Sequence, residues 1–318
     1  MSSKKIIEAI KKHKTFLLST HINSDVDGIA CELALSHYLK SLGKKVYIIN
    51  PDKIAPMYRF INGTKAIEEF HGQHRNYDVA VTLDCGDLDR IDRVQKMIDF
   101  KKPLINIDHH ITNDFFGTIN LVKPFASSTA EVIYDLIKEA RGTFSKNMAV
   151  LIYLGIMTDT GSFRYDNTTA RTHKIVSELM RFKLPIGELY RKIYESIPLK
   201  DIKEFLKLMN RFQMSHHNKI GSIDLTKAQL QRFSQEFDLR EKIFSFLRSI
   251  KGIEAIVIFT VQNGHETRVN FRSHGHIDVA KLASYFKGGG HKKASGCRMT
   301  GNLVKARREI FLQLDKIL

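Results

Sequence analysis

Cysteine, acidic charge and long apolar runs are all scarce in this sequence of 318 residues. The three cysteines, Cys31, Cys85 and Cys297, lie far apart without C-x-x-C spacing, which argues against a disulfide framework and a thiolate metal site. No apolar run approaches the ~18 residues that span a bilayer. Phe16-Leu17-Leu18, behind a basic N-terminus, is too short for the apolar core of a secretory leader. A cytoplasmic protein that does not engage a membrane is expected. Acidic residues number 34 against 50 basic ones, leaving a formal net charge of +16. A basic surface attracts phosphates, so nucleotides become the favoured class of partner. The excess is spread along the chain with no basic tail, so charge alone names a class and no more.

The length suits two domains, and no low-complexity segment or internal repeat interrupts it. β-rich runs at 15–20, 45–50, 77–83 and 104–107 alternate with helical patterns at 28–42 and 88–100. That alternation predicts βαβ units, hence an α/β domain with a mostly parallel sheet flanked by helices. Helices follow at 128–140 and 146–157, the first opened by a capping box of Ser128 and Glu131. A charged helical stretch around Pro198 divides the chain into a catalytic domain (1–190), a linker (191–208) and a smaller α+β substrate-binding domain (209–318). In the latter, strands at 256–261 and 267–271 flank an Asn263-Gly264 turn. A helix at 277–286, a loop at Gly288-Gly289-Gly290 and a helix at 303–318 complete it.

The chemistry-bearing residues fall just after the predicted strands. His21, Asp25 and Asp27 follow the first, Asp84 ends another, and Asp108-His109-His110 ends the next. Asp159 closes a buried helical run. In open α/β sheets ligands bind beyond the carboxyl ends of the strands, so these groups should converge. Taken singly, Asp25 and Asp27 read as helix caps, Asp84 as a turn residue, and the histidines as ordinary polar groups. Their joint placement favours a mixed carboxylate and imidazole metal site, better suited to manganese than to zinc. Facing carboxylates repel, and a dication relieves that repulsion. Two such ions can hold a hydroxide nucleophile and clamp a phosphoryl group. In the second domain, consecutive glycines let backbone N–H groups face an anion, with His291, Lys292 and Lys293 beside them. Arg272 offers a bidentate phosphate contact, with Arg164 and Arg268 as weaker candidates. His216, His217, His274 and His276 read as solvated.

The series His21-x-x-x-Asp25-x-Asp27, Asp84, Asp108-His109-His110 and Asp159 resembles the four-motif signature of the DHH phosphoesterase superfamily. Gly288-Gly289-Gly290-His291, with Val269-Asn270-Phe271-Arg272-Ser273 upstream, is similar to the DHH-associated substrate domain. The resemblance spans nearly the whole chain. It falls nearest the stand-alone nanoRNase and 3′-phosphoadenosine-5′-phosphate phosphatase branch, which includes enzymes that degrade linear and cyclic diadenylates.

This resemblance implies two Mn2+ ions, with Mg2+ or Co2+ as substitutes. His21, Asp25 and Asp84 would hold one ion, and Asp27, Asp84, His109 and Asp159 the other. His110 would contact the scissile phosphate, and Asp108 would orient a histidine. Arg272, Ser273, Gly288, Gly289, Gly290 and His291 would bind substrate in a cleft between the domains. The implied enzyme is a metal-dependent phosphodiesterase and phosphatase. Its substrates would be short RNA, linear dinucleotides and 3′-phosphoadenosine-5′-phosphate, and a homodimer is compatible with the reading. The rival substrates are cyclic dinucleotides and inorganic pyrophosphate or polyphosphate. A non-catalytic nucleotide-binding protein is the weakest alternative. Two departures stand out: Ser24 where relatives often carry proline, and Lys287 where many carry a further glycine.

Overall fold

The computed structural model describes residues 2–262, 265–274 and 276–317, without the side chain of His291. The chain divides into two compact units, Met1–Glu195 and Ser196–Leu318. No helix among the described residues is long and apolar enough to cross a membrane.

The first unit opens with α1 (Ser2–Lys12), β1 (Thr15–Ser19), α2 (Val26–Ser41), β2 (Lys45–Asn50) and β3 (Ile67–Glu69). It continues through β4 (Val79–Leu83), β5 (Leu104–Asp108), β6 (Ile119–Val122), α3 (Thr129–Glu139), α4 (Lys146–Asp159), α5 (Ala170–Leu179) and α6 (Ile186–Tyr194). The strands form one parallel sheet in the order β3-β2-β1-β4-β5-β6. Its inner strands β4 and β5 are buried at every position because both faces are covered. Phe16, Leu18, Val81, Ile105 and Ile107 face the core shared with α2, α3 and α4. Leu17, Ile49, Ala80 and Leu104 face the opposite side.

That opposite side corrects an expectation. The 88–100 stretch is not an α-helix but 3-10 turns over Leu88–Met97, broken where Asp92 leaves helical geometry at φ 42°. Leu88, Ile91, Val94 and Met97 recur every third residue, the period of a 3-10 helix, and the last three are buried. The capping box is also redistributed. Ser128 Oγ accepts the Glu131 N–H at 3.2 Å, but the Glu131 carboxylate accepts from the Ser127 N–H and hydroxyl instead.

The second unit contains α7 (Leu199–Met209), β7 (Gln213–Ser215), β8 (Ile220–Thr226), α8 (Lys227–Leu230), α9 (Leu239–Arg248), β9 (Ala255–Val261) and β10 (Glu266–Ser273). It ends with α10 (Val279–Tyr285), β11 (Gly289–His291), β12 (Ala294–Thr300) and α11 (Leu303–Leu314). Its mixed sheet runs β11-β12-β10-β9-β8-β7, with a single parallel pair, β8 and β9, among the described strands. Alternation on β9 separates two cores: Ala255, Val257 and Phe259 pack beneath α10 and α11, whereas Ile256 and Ile258 pack against α9. The glycine run is therefore not a free loop, because Gly289 and Gly290 pair with β12 as an edge strand. The Asn263-Gly264 turn and Leu318 lie outside the described residues. His216 is not simply solvated, since its Nε2 lies 2.6 Å from Asp315 Oδ1 and its ring stacks on Phe311.

Candidate metal centre

The strand order of the first unit reverses between β1 and β4, and ligand crevices open at the carboxyl ends of strands at such a switch point. The turns after β1, β4 and β5 carry His21 with Asp25, then Asp84, then His109 and His110, and Asp27 stands in the first turn of α2. Asp159 arrives from the last turn of α4. Donor atoms of His21, Asp25 and Asp84 lie within 4.8 Å of one another, as do those of Asp27, His109 and Asp159. Asp84 stands between the two sets. Its Oδ2 is 3.6 Å from His21 Nε2 and its Oδ1 is 3.7 Å from His109 Nε2.

Five of the six donors are aimed by a second bond. Asp25 both caps and points. Its Oδ1 accepts the N–H groups of Asp27 and Gly28 at the start of α2, while its Oδ2 lies 3.9 Å from His21 Nε2. Asp27, 1% exposed, accepts the Thr129 and Ala130 N–H groups at 2.7 and 3.0 Å, at the positive end of α3. Asp84 holds a left-handed backbone at φ 58°, the kind of local strain that collects at functional sites. The Thr129 hydroxyl donates to its Oδ1 at 2.8 Å. His21 Nδ1 lies 2.9 Å from the Ile22 carbonyl and His109 Nδ1 lies 3.3 Å from that of Ala126. A carbonyl accepts only, so each Nδ1 carries a proton and Nε2, facing the cluster, is the nitrogen that can give up its proton to become a ligand.

His110 is held differently. Its Nδ1 sits 2.6 Å from Asp108 Oδ1 and 3.7 Å from Asp84 Oδ1, so a carboxylate outside the cluster engages that nitrogen, although His110 also groups with Asp84 and His109 as a third set of converging donors. The other Asp108 oxygen accepts from Asn113 Nδ2 at 2.6 Å, and Asn113 is in turn bonded to Asn106 and the Cys85 carbonyl. Burial opposes charge on His110, but the Asp108 hydrogen bond and the Asp84, Asp108 and Asp159 carboxylates raise its pKa to about 9.

The carboxylates repel one another. Burial, then Asp84, Asp159 and Asp25, push Asp27 well above the usual range. Burial carries Asp159 up to about 7, opposed by His109 and reinforced by Asp84 and Asp25. Burial would raise Asp84 as well, but the contact with His21 and the charges of His110, His109 and His21 hold it well below the usual range. Histidine protons are the compensation that the protein's own groups offer here. The donor set therefore fits dications of the hard or borderline kind, with oxygen and imidazole ligands and no thiolate.

In the second unit, Arg272 lies over the Phe244 ring at 4.7 Å and 3.4 Å from Glu241 Oε2, with its side chain 36% exposed. The Ser273 hydroxyl donates toward the Ile277 and Lys292 carbonyls, leaving a ligand only its lone pairs. A Cβ at Gly288 would meet the Gly296 carbonyl at 2.3 Å, and one at Gly290 would meet that of Ala294 at 2.5 Å, whereas Gly289 faces open space. Two of the three glycines thus answer to packing. The expected role of His291 rests on a side chain outside the described part of the structure. Arg164 donates to the Gly161 carbonyl.

Sequence reasoning missed Thr129 and Asn113, which bond to Asp84 and Asp108. Thr129 carried a usable signal, because it directly follows the Ser128 cap. Asn113, in an irregular segment, carried none.

Residues 15–156 match the model of the DHH family N-terminal domain, and residues 232–316 match the DHHA1 domain. A Bacillus subtilis protein named bifunctional oligoribonuclease and PAP phosphatase NrnA is 30% identical over 294 residues, covering 92% of this chain and 91% of that protein. A Thermus thermophilus protein of the same name is 28% identical over 89% of this chain and 84% of its own length. The crystal structure of an exopolyphosphatase-related protein from Bacteroides fragilis superposes with a TM-score of 0.90 at 26% identity, covering 98% of this chain and 94% of that one.

Proposed function

The chain belongs to the DHH family and is a hydrolase of phosphoester bonds. From that premise, we propose that it removes nucleotides from short oligoribonucleotides, cleaves linear dinucleotides and dephosphorylates 3′-phosphoadenosine-5′-phosphate with two manganese ions. The observation that carries this reading is the single carboxylate, Asp84, standing between two sets of converging donors. The relatives' names supply the substrate class.

On this reading His21, Asp25 and Asp84 hold one ion, and Asp27, Asp84, His109 and Asp159 the other. Such a pair of ions supplies a nucleophile at neutral pH and stabilises charge on the phosphoryl oxygens. The protein's own groups do the rest. The Thr129 and Ala130 amides hold Asp27, and the Thr129 hydroxyl holds Asp84, so the carboxylates need no rearrangement when charge develops. His110, fixed through Asp108 and Asn113, contacts the scissile phosphate. Arg272 and the glycine edge grip the phosphate or base that does not react. The test is turnover of diadenylate, a five-nucleotide RNA and 3′-phosphoadenosine-5′-phosphate with manganese and with chelator. Release of mononucleotide or phosphate only with the ion is expected. Inertness toward all three, or hydrolysis undiminished by chelator, overturns the reading.

A further inference from the structure

On β10 the side chains of Arg268, Asn270 and Arg272 alternate with the buried Thr267, Val269 and Phe271, so the three share one face. Arg268 stands directly opposite Arg298 in the antiparallel ladder with β12. Cross-strand like charges destabilise a sheet. Arg240, from α9 on the same face, adds a third guanidinium, close enough to act on the first. Among the described residues no carboxylate pairs with Arg240, Arg268 or Arg298, although Arg272 and Arg307 nearby in sequence each have one. The Nε of Arg240 is buried without any acceptor. Burial, then the charges of Arg240 and Arg298, pull the Arg268 guanidinium below its ordinary pKa.

Three arginines gathered at a cost in mutual repulsion, with an unmet donor among them, call for an anion. Guanidinium groups suit phosphate, which takes their N–H fork bidentately. Arg268 lies four residues from Arg272, about 13 Å along the strand at ~3.3 Å per residue. One phosphate cannot reach both ends of this row, whereas an extended single strand can follow it with successive phosphates. We propose that Arg240, Arg268 and Arg298 form a second phosphate site, which binds the backbone of an oligoribonucleotide beyond the nucleotide held at Arg272. The inference rests on the proposed function for its substrate class. It makes the second unit sensitive to substrate length: a dinucleotide ends before the site, and a longer strand reaches it.

The experiment compares diadenylate with five-nucleotide oligoadenylate on the manganese-loaded protein, for Arg268→Ala, Arg298→Ala and the double variant. The KM for the pentamer should rise about tenfold or more per arginine removed, the loss expected of one charge-assisted contact. The diadenylate KM should hold. The slope of pentamer binding against salt should become shallower by roughly 0.7 per lost contact. Melting temperatures should not fall, since removing one like charge relieves the others. Equal KM increases on both substrates, or an unchanged pentamer KM, overturn the proposal. Binding of the pentamer to the chelated protein separates this outcome from a failure of the proposed function. Weaker binding by the variants supports the site even if nothing is hydrolysed, and unchanged binding overturns it.

Discussion

At the scale of single residues, the converging donors were legible because each is polar and chemically distinctive and all but Asp159 follow a strand. Their supports were not, since Thr129 and Asn113 are ordinary residues whose partners are 45 and 5 positions away in sequence. His109→Ala should lower metal content, because its Nε2 is aimed at Asp84 and Asp159. His110→Ala should lower turnover with metal retained, and Asn113→Ala should do so more mildly, by loosening Asp108. Elemental analysis beside kinetics checks this division, and equal metal loss in all three would refute it. Away from the donor set, Glu32 adds a pH dependence of its own. Glu32 is fully buried, and burial, opposed by the Asn50 hydrogen bond and the His21 charge, raises it from 4.5 to about 8. Ionised Glu32 therefore favours the unfolded chain. Its contribution to stability is intact below about pH 4.5 and disappears as pH climbs through about 8. Glu32→Gln keeps an acceptor for Asn50 and removes the titration. Its melting temperature should exceed the parent's at alkaline pH, with the gap closing toward acid. A gap independent of pH would contradict this assignment.

At the scale of elements, long apolar strands and buried helices were readable, whereas β3 and β6 were not. Each is an edge strand of three or four residues, mostly half-buried, and so lacks a clear pattern. The helical pattern expected over 88–100 is 3-10 turns over Leu88–Met97, because apolar residues spaced by three also suit one face of an α-helix. Two substitutions probe element packing. Gly155 lets α4 approach α2 and α3 so closely that a Cβ there would meet Asp27 Oδ1 at 2.4 Å and Ala130 Cβ at 2.6 Å. Gly155→Ala should displace Asp27 and reduce metal affinity along with stability, measurable by metal titration and thermal melting. Lys287 sits at φ 56°, where its N–H bonds the Ser284 carbonyl and that of Gly288 bonds Ala283, closing α10 with a Schellman turn. Glycine adopts that conformation without strain, so Lys287→Gly should stabilise the second unit by about 1 kcal/mol. A lower melting temperature would show that the lysine side chain matters more than the backbone.

At the scale of the whole molecule, the donor cluster and the proposed phosphate grip lie in separate units, each with its own sheet and core. Strands alternating with helices disclosed the first sheet. The second was harder to foresee, because β7, β8 and β12 are carried by mixed polar sequence and the glycine run hides a strand. The division implies that the two units fail differently. Arg272→Ala should cut efficiency on diadenylate by about ten- to a hundredfold, the loss of one charged partner, with metal content unchanged. A small activated phosphodiester with nothing to offer Arg272 should be far less affected, and equal losses on both would remove Arg272 from substrate binding. The central claim is that Asp84 and its neighbours hold the ions that hydrolyse short nucleotides. It is tested most directly by titrating manganese into chelated protein and into Asp84→Ala while following diadenylate hydrolysis. Turnover should be absent without the ion, rise until about two ions are bound per chain, and stay absent in the variant at every concentration. Hydrolysis by the chelated protein, or near-normal turnover by Asp84→Ala, would contradict it.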